Sequence, residues 1–170
     1  MAKIGNMSLN LDINKSSKKE LFKKGYTQLF YPLSENIKNF VKEQNWEKLD
    51  QSFHKLMEKG GTLRSKLLEY HDFEHFELML AVRDSSVEEG IWHDDGSRSF
   101  AFTLSLTLEH LKVQGGSLLF RKKGEPEQLT ELPTQEFGAL TLFLTGQYGY
   151  EHKVSAMSSG KRVVLVGWCH

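Results

Sequence analysis

The hydrophobic pattern of this chain changes period once along its length. Between Ser34 and Leu68 apolar side chains recur every three or four residues: Ile37, Phe40 and Val41 form one stripe, Trp46, Leu49, Phe53, Leu56 and Met57 a second, and Leu63, Leu67 and Leu68 a third. That spacing is the period of a helix with one buried face. Ser34 and Asn45 stand at the helix starts, and Gly60-Gly61 ends the second stripe. Upstream, Ser17-Lys18-Lys19-Glu20 has the spacing of a capping box and predicts a short helix closed by Gly25. The first 16 residues are polar and without a period, and read as a loose arm with at most one short strand. Tyr26 to Leu33 is β-rich, but Pro32 cannot donate to a ladder, so this segment is expected at a sheet edge or a bend.

Beyond about Phe73 the runs become short, β-branched or alternating, separated by Gly, Pro, Asp and Ser. They predict strands at Phe76–Arg83, Ile91–His93, Ser99–Thr107, Ser117–Lys122, Gln128–Leu132, Ala139–Thr145, His152–Ser155 and Lys161–Trp168. About eight short strands with regular turn signals indicate a sandwich or jelly roll. Helices first and strands afterward is an α+β order, with the N-terminal helices packed on one face of the sheet. The expected organisation is one domain over 1–170, with a mainly helical layer over 1–72 and a jelly-roll core over 73–170.

Composition narrows the setting. With 170 residues and 39% hydrophobic side chains, the chain can bury one core of ordinary size. Lys+Arg and Asp+Glu both number 22, so the overall field makes no case for nucleic acid or an anionic membrane as a partner. The balance is global and not local: 13 basic and 8 acidic side chains lie up to Tyr70, and the acidic excess lies beyond it. A local anionic ligand remains open. The single cysteine, Cys169, excludes an internal disulfide and a thiol-rich metal site, so a cytoplasmic protein is expected. No stretch approaches the roughly 20 apolar residues of a membrane span, and Met1 to Asn6 lacks the apolar segment of a signal peptide.

The chemistry concentrates in three places. On a strand, His93 and Asp95 share a face while Asp94 points away, which makes a two-toothed ligand. His-x-Asp alone carries little weight, because both residues also serve turns. His152, at the head of the seventh strand, is the candidate third ligand. Two imidazoles and a carboxylate on one face of a metal leave the opposite positions open, as in non-haem Fe(II) oxygenases. In the last strand Lys161 and Arg162 alternate, so one of them faces inward and needs an anion. A guanidinium meets a carboxylate with two parallel hydrogen bonds, whereas a lysine offers a point charge.

Taken in order, Trp92-His93-Asp94-Asp95, Gly115-Gly116-Ser117-Leu118-Leu119-Phe120, Phe137-Gly138-Ala139-Leu140-Thr141-Leu142-Phe143, and His152 followed by Arg162 and Trp168 resemble the Fe(II)/2-oxoglutarate-dependent dioxygenases. Within that superfamily they are most similar to the prolyl-hydroxylase-like branch. The resemblance spans Phe76 to His170. It implies a double-stranded β-helix in which His93, Asp95 and His152 hold Fe(II), 2-oxoglutarate chelates the metal, and Arg162 pairs with its far carboxylate. A tyrosine common on the third strand of prolyl hydroxylases corresponds here to Ser105, counting from Arg98. Thr103, two residues back on the same face, is an alternative donor. The arginine-x-serine pattern of another subset is absent, because Val164 stands there.

The resemblance therefore implies hydroxylation of a C–H bond, with 2-oxoglutarate and O₂ as cosubstrates and a peptidyl or small-molecule substrate. The rival from another class is a non-catalytic jelly-roll protein holding a structural or sensory metal. Nucleic-acid demethylation ranks lower, since the site region is net acidic and lacks a basic stripe with interleaved aromatics. Tyr148 and Tyr150, in a Gly-rich loop before His152, could equally pack or meet a substrate. Trp92 and Trp168 read as packing, and Arg121-Lys122-Lys123 as a solvated strand end.

Overall fold

The computed structural model describes residues 16–170, so the expected N-terminal arm lies outside the described residues except for residue 16. A first helix, α1, covers 16–24. Residue 16 is already helical, so Ser17 does not open this helix. Gly25 ends it at φ +84°, and a Cβ at that position would lie 2.4 Å from the Tyr150 ring, so the exit demands glycine twice over. The next three helices coincide with the three apolar stripes: α2 (Glu35–Lys42), α3 (Trp46–Met57) and α4 (Thr62–Leu68). The Ser34 hydroxyl caps α2 by accepting from the Ile37 amide at 3.3 Å, and the Asn45 side chain caps α3 by accepting from Lys48 at 3.2 Å.

The strands are β1 (Tyr26–Phe30), β2 (Phe76–Arg83), β3 (Phe100–Ser105), β4 (Gln114–Gly115), β5 (Leu118–Lys122), β6 (Thr130–Leu132), β7 (Ala139–Leu144), β8 (Tyr150–Val154), β9 (Met157–Ser159) and β10 (Arg162–Cys169). They form a five-stranded sheet in the order β1-β7-β3-β10-β2, a three-stranded sheet β6-β5-β8, and the pair β4-β9. As its proline predicts, β1 lies at a sheet edge. The expected Ile91–His93 strand is reduced to a single bridge from His93 to His152, because the chain turns sharply at Asp95, whose φ is +57°. The pair β4-β9 was not foreseen. Gln-Gly and Met-Ser-Ser carry no alternating apolar signal.

Every strand of the large sheet alternates between two environments. Phe100, Phe102 and Leu104 of β3, Leu140, Leu142 and Leu144 of β7, and Val163, Leu165 and Cys169 of β10 join one buried cluster with Ile37, Leu49, Phe53, Leu63 and Leu67 of the helices. The opposite face packs more thinly: Ala101 and Phe143 meet Leu118, Phe120 and Leu132 of the small sheet. The packing is tight where β10 crosses β3, since a Cβ on Gly167 would lie 2.1 Å from the Phe102 ring. Burial pushes the Cys169 thiol up to about 12, which leaves it protonated and inert.

Candidate functional site

The space between the two sheets collects the residues that the sequence singled out. Segment 90–93 runs beside β8: the Gly90 amide donates to the Val154 carbonyl at 2.9 Å, and His93 and His152 exchange both backbone hydrogen bonds at 3.0 and 2.9 Å. Two residues far apart in sequence thereby become a cross-strand pair, with imidazole centroids 4.3 Å apart. Asp95 arrives by a different route from the one strand alternation suggests. Its left-handed backbone swings its side chain back toward His93, a conformation that aspartate tolerates better than most residues.

Asp94 fastens that turn. Its carbonyl accepts from the Gly146 amide at 2.6 Å. One carboxylate oxygen accepts from the Gly96 amide at 3.0 Å, and the other pairs with Lys123 at 2.8 Å. The Lys123 pairing holds the Asp94 carboxyl below the usual carboxylate range. Lys123 was read from sequence as part of a solvated strand end; it is an anchor for the ligand-bearing turn. Nearby, Trp92 lies 3.9 Å beneath the Arg121 guanidinium, itself paired with Glu151 at 2.6 Å. No sequence signal marks these two anchors, since both depend on residues brought together only by the sheet.

His93, Asp95 and His152 form the one group of three His, Cys, Asp or Glu side chains among the described residues whose ligand atoms could meet a metal, all within 4.8 Å of one another. Asp95 Oδ1 lies 3.6 Å from His93 Nε2, and Oδ2 lies 3.5 Å from His152 Nε2. His93 Nδ1 sits 2.9 Å from the Ile91 carbonyl, which can only accept, so the proton is on Nδ1 and the Nε2 lone pair is free. Burial, reinforced by the neighbouring His93, lowers the His152 pKa to about 3, which keeps that imidazole neutral. Burial raises the Asp95 pKa, opposed by the Trp168 indole, His93 and Arg98. The Trp168 N–H lies close enough to act on Asp95 without reaching hydrogen-bond geometry, and Asp95 Oδ2, His152 Nδ1 and Trp168 Nε1 are all buried without a hydrogen-bond partner.

That donor set fits a divalent metal. Ligands on adjacent positions of one ion, each bonded at about 2.1 Å, lie about 3 Å apart, so the two carboxylate–imidazole separations need only a slight closing and the widest separation, within 4.8 Å, a larger one. The unsatisfied Asp95 oxygen is the kind of buried atom that a cation completes.

Arg162 enters the same cavity from β10. It is 5% exposed, and its guanidinium makes no hydrogen bond or ion pair among the described residues. Burial, with Arg83 beside it, lowers its pKa to about 10. Lys161 points outward instead, reaching Gln44 Oε1 at 3.1 Å. The cavity has a volume of about 190 Å³, and Thr103, His93, His152, Arg162 and Trp168 all contribute to its wall. Ser105 does not line it. Its hydroxyl donates to the Gln135 carbonyl at 2.8 Å and borders a small recess behind Arg162. Tyr150 stacks on Phe120 and Tyr148 bonds to His71 at 2.9 Å, and neither lines the cavity.

The architecture around this cavity is shared with solved structures. A Trichoplax adhaerens prolyl hydroxylase, determined with a hypoxia inducible factor oxygen degradation domain peptide fragment, superposes with a TM-score of 0.69 at 15% identity, covering 99% of this chain and 94% of that one. A Pseudomonas putida prolyl-4-hydroxylase gives 0.64 at 17% identity, over 92% of this chain and 93% of that one. The chain has the double-stranded β-helix fold of the prolyl hydroxylases. A Burkholderia pseudomallei oxidoreductase of the 2OG-Fe(II) oxygenase family shares it too, with a TM-score of 0.64 at 12% identity over 91% of this chain and 88% of that one. No family model matches the sequence, and no curated protein does. Within this double-stranded β-helix the two sheets are the described five- and three-stranded sheets, and the candidate metal ligands lie on the small sheet and the segment bridged to it.

Proposed function

We propose that this protein is an Fe(II)- and 2-oxoglutarate-dependent oxygenase that hydroxylates a C–H bond, with a peptidyl substrate favoured over a free metabolite. The observation that carries the reading is the buried Arg162, unpaired among the described residues, in the cavity lined by His93 and His152 of the His93, Asp95 and His152 cluster. A structural or sensory metal site has no use for a guanidinium desolvated without an anion, and such a group is costly to maintain. A dicarboxylate bound between the cluster and Arg162 supplies that anion.

In this reading His93, Asp95 and His152 hold the metal. Iron there would supply the coupling of O₂ reduction to oxidative decarboxylation of 2-oxoglutarate. The protein's own part is positional. The Ile91 carbonyl and the His152 backbone pairing fix both imidazoles, and Asp94 with Lys123 and Gly146 holds the turn that aims Asp95. Arg162 orients the cosubstrate through its far carboxylate, and the Thr103 hydroxyl offers a second contact. Ser105 is the weaker candidate, since its hydroxyl is already engaged by Gln135. Phe143, Leu118, Val154 and Val166 keep the cavity wall apolar, which strengthens the ion pair and limits water. The peptide in the Trichoplax structure supports a peptidyl substrate.

The test is succinate formation. Purified protein given Fe(II), 2-oxoglutarate and air should release succinate slowly without any further substrate, and Asp95→Ala should release none while keeping its circular dichroism spectrum. No succinate from a folded, metal-loaded wild-type protein would overturn the proposal.

A further inference from the structure

Two lips of the cavity are strand-like backbone at the outer edge of a sheet. β2 is the last strand of the large sheet and pairs only with β10 among the described residues. Segment 90–93 is the outermost element beside β8. Met79, Ala81 and Arg83 of β2 line the cavity on one lip, and Gly90 and His93 line it on the other. Met79 is 48% exposed and the His93 side chain 46%, whereas Arg162 and His152 are buried, so the opening lies between these two lips. Ile91, 80% exposed, stands on the second lip.

The β2 edge carries no proline, lysine or bulge, and its two charged side chains are engaged elsewhere, Glu77 with Arg98 at 2.7 Å and Arg83 with the Glu88 carbonyl at 3.2 Å. The register of Phe76-Glu77-Leu78-Met79-Leu80-Ala81-Val82-Arg83 with β10 runs unbroken through eight pairs. Such a strand is a template for another extended chain. By contrast β1, the opposite edge of the same sheet, is five residues long and is followed closely by Pro32.

The volume of the cavity says what comes to that edge. At about 190 Å³ it is smaller than the roughly 300–1,000 Å³ of pockets that enclose a whole small-molecule ligand. With a dicarboxylate on Arg162, it has room for a protruding side chain and not for a second entire molecule. We propose that the primary substrate is an extended peptide segment that docks by adding a strand to the free edge of β2, with its side chains over Met79 and Ile91 and one of them directed between the lips. The inference rests on the oxygenase reading for the chemistry and on the β2 edge for the docking. Backbone hydrogen bonds to β2 supply affinity, and Met79 and Ile91 supply an apolar preference at the positions flanking the reacting residue.

The probe is a random library of linear twelve-residue peptides, selected against the full-length protein loaded with Fe(II) and 2-oxoglutarate without oxygen. For the selected peptide, amide hydrogen exchange is measured with and without it. The expected result is slowed exchange confined to residues 76–83 and the facing segment 90–93, with no change in β1 or β6, and a loss of affinity of about tenfold when alternate peptide nitrogens are methylated. Protection elsewhere, unchanged affinity on methylation, or failure to select any peptide would overturn the docking proposal. So would β2 amides already slow in the free protein and released on deleting residues 1–15, which would assign the edge to the chain's own N-terminus. Succinate formation without peptide, measured on the same preparation, reports separately on the oxygenase reading.

Discussion

The two faces of the five-stranded sheet are built from the same strands and have opposite characters. On β3, Phe100, Phe102 and Leu104 face the helices, while Ala101, Thr103 and Ser105 face the small sheet. On β10, Val163, Leu165 and Cys169 face the helices, while Arg162, Val166 and Trp168 face the cavity and Val164 the recess beside it. The helix-covered face is apolar and closely packed. The cavity face carries an unpaired cation and several buried polar atoms without partners. Stability is concentrated on one side of the sheet and chemistry on the other, and the alternation of a β-strand separates them at no cost in sequence length. Residues on the cavity side are thus free to be energetically unfavourable in the empty protein, because the helix side carries the fold.

Substitutions on the two faces should therefore fail in different assays. Arg162→Ala should weaken 2-oxoglutarate binding by about 3–5 kcal/mol, a hundredfold or more, with little change in thermal stability, since it removes a buried ion pair present only in the complex. Lys161→Ala should leave the affinity as it was. Within the same calorimetric titration, Thr103→Val should cost about tenfold and Ser105→Ala nothing, which decides between the two hydroxyls. On the other face, Phe102→Ala should destabilise the fold by about 3–5 kcal/mol in a denaturant titration while the molecules that remain folded bind 2-oxoglutarate normally. A change in stability from Arg162→Ala as large as that from Phe102→Ala would erase the distinction between the faces.

The smallest effect is a pH dependence of the metal-free protein. His152 is lowered from its ordinary 6.5 to about 3 by burial, so below 6.5 the unfolded chain binds a proton that the folded chain refuses. Stability should fall as pH falls through that window, by about 1 kcal/mol per pH unit. Asp95, raised above its ordinary 3.8, acts in the opposite direction at the acidic end, so the loss is clearest between about pH 6.5 and 5. His152→Gln should flatten the slope; an unchanged slope would remove His152 as its source.

Much of this division is readable in the sequence, and the reasons for the remainder are physical. The helix stripes, the strand at Phe76–Arg83 and the caps at Ser34 and Asn45 depend on local spacing, which the chain displays directly. The inward turn of Arg162 follows from the same alternation that sends Lys161 to solvent. The convergence of His93 and Asp95 was expected for a reason that does not hold, because Asp95 is placed by a left-handed turn and not by a strand. What holds that turn is Lys123 and Gly146, brought to Asp94 by tertiary structure alone. Spacing within one segment says nothing about such partners. The β4-β9 pair and the choice of Thr103 over Ser105 as the cavity-facing hydroxyl are of the same kind, since the second rests on Gln135 reaching across from a loop.

The central claim is that the cavity face binds a metal and a dicarboxylate together while the helix face holds the fold. It is tested most directly by titrating 2-oxoglutarate, without oxygen, into protein carrying one equivalent of Fe(II), and following the visible charge-transfer absorbance of the chelate. A saturable band that disappears in Asp95→Ala and requires far more 2-oxoglutarate in Arg162→Ala, with both variants folded, is the predicted result. No band in the wild type, alongside tight Zn²⁺ binding at the His93, Asp95 and His152 cluster, would contradict the account and leave a structural or sensory metal site in its place.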